Sequence, residues 1–255
     1  MTASFTGDLK PPDLSLVIPC YNEAASVRNT AVKLIRSLRE TTADFELILV
    51  NNGSADNTGD IIDELITEGL PVVLETVEVN QGYGYGVLRG LRRCRGKIVG
   101  FMCADGQIAP QDVARLFEVA AAAKTPKLFK VRRRFRMDGW KRQIVSTIYN
   151  LTARALLGNL GTMDINANPK LLPREYLERM NLQSKDWFLD AEVMLKCKQL
   201  GLEVFELNVL GQMRLEGVSQ VRPAAVWEFI VNLLKYRFSQ HRGILPPQTS
   251  VAGKE

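Results

Sequence analysis

Residues 14–40 read LSLVIPCYNEAASVRNTAVKLIRSLRE. The run LSLVIP (14–19) is apolar, partly β-branched and ended by a proline, the pattern of a buried strand. From residue 22 the period changes: Val27, Ala31, Leu34, Ile35 and Leu38 recur on one face of a helix, with Asn22 able to cap it. The same two signals then alternate along the chain. FELILVNN (45–52), PVVLETVEV (71–79), VGFMCADGQ (99–107) and KLFKV (127–131) read as strands or strands running into turns. NTGDIIDELITEG (57–69), YGVLRGLRRC (85–94) and APQDVARLFEVAAAA (109–123) read as helices, the first with Gly69 past its end. This rhythm predicts an α/β fold, Rossmann-like, with a mostly parallel sheet flanked by helices on both faces. After residue 132 the rhythm breaks into helices at about 140–157, 174–181, 187–200 and 223–239, with extended pieces at 163–172 and 202–209. Repeats and low-complexity linkers are absent, which favours one domain.

Composition narrows the class. With 46% hydrophobic and 24% charged residues, the 255-residue chain is globular rather than disordered or fibrous. No apolar stretch reaches the ~18 residues that span a bilayer. The opening MTASFTGDLKPPD lacks the basic and apolar regions of a secretory signal. Four scattered cysteines (Cys20, Cys94, Cys103, Cys197) and one histidine argue against a zinc site or disulfide scaffold and suit a reducing cytoplasm. A net charge of +5 suits anionic partners: nucleotide, lipid phosphate, membrane surface or nucleic acid. A dinucleotide-binding turn is excluded, because PCYNEAAS between the first strand and helix contains no glycine. The glycines come later, in NQGYGYGVLRG (80–90), where Gly82, Gly84, Gly86 and Gly90 do not match that fingerprint. A mobile loop and a phosphate contact are equal readings of that turn. The stretch 99–107 stands out because a strand entering the core surfaces at Cys103, Asp105 and Gln107, at the carboxyl end where ligands bind in open α/β sheets.

In order, LSLVIPCYNEAASV, LVNNGSADNT, NQGYGYGVLRGL…GKIVGFMCADGQ, RFRMDGWKRQIVSTIYN and WFLDAEVMLKCKQLGLEVFELNV…RLEGVSQVR resemble the family 2 glycosyltransferases of the GT-A fold over residues 14–222. The likeness is greatest to the dolichyl- and polyprenyl-phosphate sugar transferases, the group that includes dolichol-phosphate mannose synthase. The resemblance implies that the turn after the first strand binds the nucleotide of an activated sugar, through Pro19, Tyr21 and Glu23. Glu23 at a helix start also reads as a response to the helix dipole. GSADNT keeps the family's pattern; Ser54 is carried over as a donor contact, and Asp56 reads as a turn or cap residue. The family's metal-holding Asp-x-Asp is here Cys103-Ala-Asp105, followed by Gln107, and its acidic pair after the second strand is Asn51-Asn52. Those changes remove about three negative charges, and a thiol is a poor ligand for a hard cation. A weakly bound Mg²⁺ or Mn²⁺ on Asp105 and Gln107 is therefore expected. A non-catalytic, sugar-nucleotide-binding reading stays open for the same reason.

The basic run KLFKVRRRFRMDGWKR reads either as a solvated face or, by the resemblance, as the family's R-x-x-R-x-D-G at Arg133, Arg136 and Asp138. No recognised nucleic-acid motif accompanies it, so a nucleic-acid partner is not expected. RLEGVSQV aligns Arg214, Gly217 and Ser219 with a second family motif whose final lysine is Gln220, with Arg222 able to carry its charge. These arginines would stabilise the departing nucleoside diphosphate, UDP or GDP. Asp190 aligns with the general base of relatives that act on hydroxyls; with Glu192 it also reads as an acid pair at a helix start. A polyprenyl phosphate, already anionic, needs no base, whereas a saccharide hydroxyl does. The expectation is an inverting transfer to a lipid phosphate, with transfer to a hydroxyl through Asp190 as the alternative. Residues 14–107 form the nucleotide-sugar half and 108–222 the acceptor half, after a flexible 1–13. Within 223–255, AAVWEFIVNLLKYRFSQHRG is an amphipathic helix that either packs on its own domain or lies on the cytoplasmic face of a membrane, by itself or through a membrane-protein partner. The whole expectation requires the tips of the first, second and fourth strands to converge with the arginine-rich segment.

Overall fold

A computed structural model describes residues 10–41, 43–136 and 140–212. Seven strands form one sheet: β1 (Leu14–Cys20), β2 (Phe45–Asn52), β3 (Val72–Val77), β4 (Ile98–Phe101), β5 (Lys127–Arg136), β6 (Lys170–Pro173) and β7 (Glu203–Gly211). Their order is β3-β2-β1-β4-β6-β5-β7. The pairs β1–β2, β2–β3, β1–β4 and β5–β7 are parallel, and only β6 runs antiparallel to its neighbours β4 and β5. The mostly parallel α/β sheet read from the sequence is therefore present.

Alternate residues of each strand enter opposite cores, as a two-residue period requires. Leu16, Leu47, Phe129 and Leu171 pack under α1 (Val27–Arg39), α2 (Thr58–Thr67) and α4 (Pro110–Ala121). Their neighbours Val17, Ile48, Leu128 and Leu172 pack under α3 (Tyr83–Leu91) and, across the sheet, with Met180 of α6 (Arg174–Met180) and α7 (Leu189–Gln199). Helix α5 (Trp140–Leu157) completes the described elements and adds Ala153 to the second core.

Three expectations shift. Helix α1 starts at Val27, not near Asn22, because Asn22 adopts a left-handed φ of 53° and turns its side chain to the next loop. The extended piece expected over 163–172 is a strand only from Lys170. The strand expected over 127–131 continues to Arg136, since β7 pairs with it through a bulge between Arg133 and Phe135. The basic run is thus partly a strand, with alternate side chains turned to opposite faces.

Candidate active site

Because β1 pairs with both β2 and β4, their carboxyl ends lie side by side, at the edge where ligands bind in open α/β sheets. The loops leaving β1 and β2 are stitched together. Asn22 N–H donates to Ser54 Oγ at 3.1 Å, and Asn22 Oδ1 accepts Ala55 N–H at 2.8 Å. Ala24 N–H donates to Asp56 Oδ2 at 3.2 Å, and Glu23 N–H to Thr58 Oγ1 at 2.9 Å. Asp56 also accepts the N–H and hydroxyl of Thr58. Burial pushes its carboxyl up, but the bonds from Thr58 and Ala24 outweigh that and hold it below its ordinary value. Its role is structural. Pro19, Tyr21, Asn51 and Ser54 are half-buried at this edge, while Glu23 is buried and accepts the Ser26 hydroxyl. Asn52 differs from Asn51: it is buried against α3, donating to Gly82 O at 3.1 Å, and a Cβ on Gly86 would stand 2.9 Å from its amide.

The glycine-rich turn has a third role that neither sequence reading named. A Cβ on Gly82 would meet Lys185 O at 2.5 Å, and one on Gly84 would meet Asp186 O at 2.6 Å. Tyr85 N–H donates to Lys185 O at 2.9 Å. The glycines let the start of α3 dock on the backbone of 184–186, the segment that leads into α7. Glu192 fastens that segment from the other side, accepting Gln183 N–H at 3.0 Å and Ser184 N–H at 2.8 Å.

After β4 the chain leaves the sheet at Met102 and turns at Gly106, φ 65°. Gln107 N–H donates to Asp105 Oδ1 at 3.2 Å, and Gln107 O accepts Gln212 N–H at 2.9 Å. Burial first, then the carboxylates of Asp105 and Asp190, push the Cys103 thiol up to about 12. Tyr83 and Arg133 act on the same thiol in the opposite sense. Cys103, Asp105, Asp190, Tyr83 and Arg133 therefore share one electrostatic neighbourhood, which joins the fourth strand's tip to the basic segment.

Arg133 does not face this neighbourhood with an open fork. Its Nε and Nη2 donate to Asp164 at 2.9 and 2.7 Å, and the two side chains are only 14% and 10% exposed. Arg136 closes β5, its backbone in register with Gly211. Asp138, Arg214, Gly217, Ser219, Gln220, Arg222 and the amphipathic helix at 223–239 lie outside the described residues. Asp190 sits in the first turn of α7, 2% exposed, and one carboxylate oxygen is already ion-paired with the buried Lys170.

The divalent-cation expectation can be tested on the donor set. Among the described residues no group of three His, Cys, Asp or Glu side chains is gathered for a metal. A neutral thiol at Cys103 supplies no charge. Asp105 and Gln107, both half-buried, offer one carboxylate and one amide. That set fits a cation that keeps waters and takes its remaining ligands from substrate phosphates.

Sequence reasoning passed over Tyr83, Asp164, Asn168, Lys170 and Trp187. Tyr83 and Trp187 carried a usable signal, an aromatic inside a glycine run and an aromatic just ahead of Asp190. Their rings stack with centroids 4.5 Å apart and planes 8° from parallel.

Comparison with known proteins agrees with this fold. The family model described as "Glycosyl transferase family 2" matches residues 15–180. The chain is similar to the undecaprenyl-phosphate 4-deoxy-4-formamido-L-arabinose transferase of Proteus mirabilis, 33% identical over 54% of this chain and 42% of that protein. It therefore spans less than half the length of that relative. It is also similar to the polyprenol monophosphomannose synthase of Mycolicibacterium smegmatis, 27% identical over 93% of each chain. Among solved structures, glucosyl-3-phosphoglycerate synthase from Mycobacterium tuberculosis, in complex with Mn²⁺, UDP and glucosyl-3-phosphoglycerate, superposes with a TM-score of 0.66 at 21% identity. That superposition covers 96% of this chain and 84% of the other.

Proposed function

The chain belongs to glycosyl transferase family 2, and from that premise we propose that it moves a sugar from a nucleoside-diphosphate sugar to a polyprenyl phosphate. The observation that carries this reading is the convergence of the Asp105 turn, Arg133 and Asp190 around Cys103 and Tyr83. The named activities of the two curated relatives, both lipid-phosphate sugar transferases, support the acceptor class.

In this reading Pro19, Tyr21, Glu23, Asn51 and Ser54 receive the nucleoside, UDP or GDP. Tyr21 offers a ring to stack on a base, and Asn51 offers an amide. Asp105 and Gln107 would hold a weakly bound Mg²⁺ or Mn²⁺, which would supply positive charge against the diphosphate. Arg133 adds fixed positive charge on the same side. Its bidentate partner Asp164 keeps the guanidinium in one orientation, the kind of preorganised charge that favours a leaving diphosphate. Arg136, Arg214 and Arg222 are assigned to the same task from their sequence positions.

The state of Asp190 supports a phosphate over a hydroxyl acceptor. One of its oxygens is occupied by Lys170, and a phosphate oxygen attacks the anomeric carbon with no proton to remove. A single in-line displacement inverts that carbon. Asp190 then orients the acceptor side rather than acting as base. No helix among the described residues is long and apolar enough to cross a membrane; contact with a lipid acceptor is assigned to the amphipathic sequence at 223–239 or to a membrane partner. Four unpaired cysteines suit its cytoplasmic face.

The test is transfer of labelled sugar from UDP- and GDP-sugars to polyprenyl phosphate, preceded by thermal shifts with each nucleoside diphosphate, with and without Mn²⁺. We expect Asp190→Asn, checked for folding by its melting temperature, to retain turnover within about tenfold of wild type, since no proton-removal step of 10²–10⁴-fold is lost. Near-total loss in a folded variant would instead establish a hydroxyl acceptor with Asp190 as base.

A further inference from the structure

The acceptor-side carboxylate and the donor-side turn are joined by side chains that the transfer reading does not use. The Lys170 ammonium, wholly buried, donates to Ala167 O at 3.2 Å, to Asn168 Oδ1 at 3.1 Å and to Asp190 Oδ1. An ammonium only donates, so the Asn168 amide has a single orientation here: oxygen toward Lys170, nitrogen away. That nitrogen donates to Tyr83 Oη at 3.2 Å. With its oxygen accepting from Asn168, the Tyr83 O–H is left free to donate onward, and Tyr83 lies within electrostatic reach of Cys103. Burial, then nearby Asp190 and Cys103, push the phenol well above its ordinary value, so the O–H stays protonated. The ring is held flat on Trp187, and Lys170 Nζ lies 5.5 Å from the ring centre of Phe101, the last residue of β4.

The donors thus run in one direction, from Lys170 through Asn168 to Tyr83 beside Cys103, while the same ammonium holds Asp190. Asp190 belongs to α7, Asn168 and Lys170 to the approach and start of β6, Tyr83 to α3, and Cys103 to the turn after β4. Three of these segments are tied at their side-chain tips, and the fourth leaves β4 just past Phe101, over whose ring Lys170 lies.

We propose that Lys170, Asn168 and Tyr83 are positioning residues, a buried hydrogen-bonded bridge that sets the acceptor-side Asp190 against the donor-side Cys103–Asp105 turn so that the two substrates meet in line. This rests on the transfer reading above. Its physical basis is that a misplacement of about 1 Å between reacting groups costs on the order of 10²-fold in rate. A bridge that merely satisfied buried polar groups would influence stability and every reaction of the site alike. A bridge that aligns two substrates influences only the reaction that needs both.

The experiment uses the full chain with Tyr83→Phe, Asn168→Leu and the double variant. Tyr83→Phe deletes one hydroxyl and keeps the ring on Trp187. Sugar transfer to polyprenyl phosphate is measured beside hydrolysis of the sugar nucleotide without acceptor. Each single variant is expected to lower the kcat of transfer about tenfold, the worth of one lost hydrogen bond in a dry site. The KM for the sugar nucleotide and the hydrolysis rate should stay within twofold of wild type. The double variant should fall no further than the worse single one, because both cut the same bridge. Parallel loss of transfer and hydrolysis, a multiplicative double variant, or unchanged transfer would each overturn the bridge. If Asn168→Leu does not fold, the transfer-to-hydrolysis ratio of Tyr83→Phe decides alone. Wild-type protein that neither transfers nor hydrolyses any sugar nucleotide overturns the transfer reading itself, and the bridge's role with it.

Discussion

Cys103 stands where the resemblance read from the sequence expects the first carboxylate of an Asp-x-Asp pair. A thiol pushed to about 12 is neutral at any working pH, so the turn offers a cation one carboxylate, Asp105, where its family pattern offers two. Cys103→Asp should therefore tighten Mn²⁺, titrated calorimetrically with nucleoside diphosphate present, by about tenfold or more; an unchanged affinity would place the cation elsewhere. Lys130 gives a second residue-scale expectation. Its ammonium is fully buried, donating to Asp164 O, Val131 O, Thr162 and Glu206. Burial first, then Lys170, push it from 10.5 down to about 8 against the pull of Asp164 and Glu206. The unfolded chain then holds a proton that the folded chain has lost between about pH 8 and 10.5, so stability from this group rises with pH across that window. Urea unfolding at pH 7.5 and 10 should show wild type gaining on the order of 2 kcal/mol relative to Lys130→Met. Neither buried lysine was legible in the sequence. KLFKV reads as a strand opening a basic run and 163–172 as an extended piece, and neither pattern buries a lysine, because a lysine is buried only when acids far along the chain, Glu206 for Lys130 and Asp190 for Lys170, fold back onto it.

Elements were more legible than residues wherever one face of a helix or strand met a core. LSLVIP and FELILVNN carry their signal in the apolar side chains alone and lie where the pattern placed them; the first helix keeps its apolar face but starts at Val27 rather than near Asn22. Reading failed where backbone meets backbone. The glycines of α3 look like a loop or a phosphate cradle until the 184–186 segment is seen resting on them, a contact between positions about a hundred residues apart that leaves no local signature. The Asn22 turn failed for the same reason, its side chain serving Ala55 rather than its own helix. The docking makes a sharp prediction. At Gly84 an added methyl meets the Asp186 and Ser184 carbonyls, rigid backbone on both sides, whereas at Gly69, φ 75°, nothing lies within 4 Å. Gly84→Ala should cost about 2–3 kcal/mol by urea unfolding and lower sugar transfer, since 184–186 leads directly to Trp187 and Asp190. Gly69→Ala, strained only by its backbone angle, should cost about 1 kcal/mol with transfer intact. Equal costs at the two sites would mean that 184–186 yields freely and does not hold α3.

At the scale of the molecule, residues 14–107 and 108–212 share both hydrophobic cores. The four-residue β6 is the seam: it lies antiparallel between β4 on one side and β5 on the other, and so joins the parallel set β3-β2-β1-β4 to the β5–β7 pair. Both hydrophobic cores cross it. One gathers Leu16 and Leu47 with Phe129, Leu171 and Leu207; the other gathers Val17 and Ile48 with Leu128, Leu172 and Leu195. Neither half can lose its packing without exposing apolar surface of the other, which couples them thermodynamically. Cys20 in the first half and Cys197 in the second are both buried, and burial pushes both thiols up, to about 12 for Cys197, so neither reacts while folded. Pulsed alkylation along a urea gradient, read by mass spectrometry for each cysteine, should therefore give the same midpoint for Cys20 and Cys197. A Cys197 midpoint lower by about 1 M or more, about 1–3 kcal/mol at typical urea slopes, would show that residues 108–212 open alone. The coupling then also bears on catalysis. A bridge from Asp190 to the Cys103 turn can align substrates only if the elements that carry its ends are parts of one rigid body, and coincident midpoints are the evidence that they are.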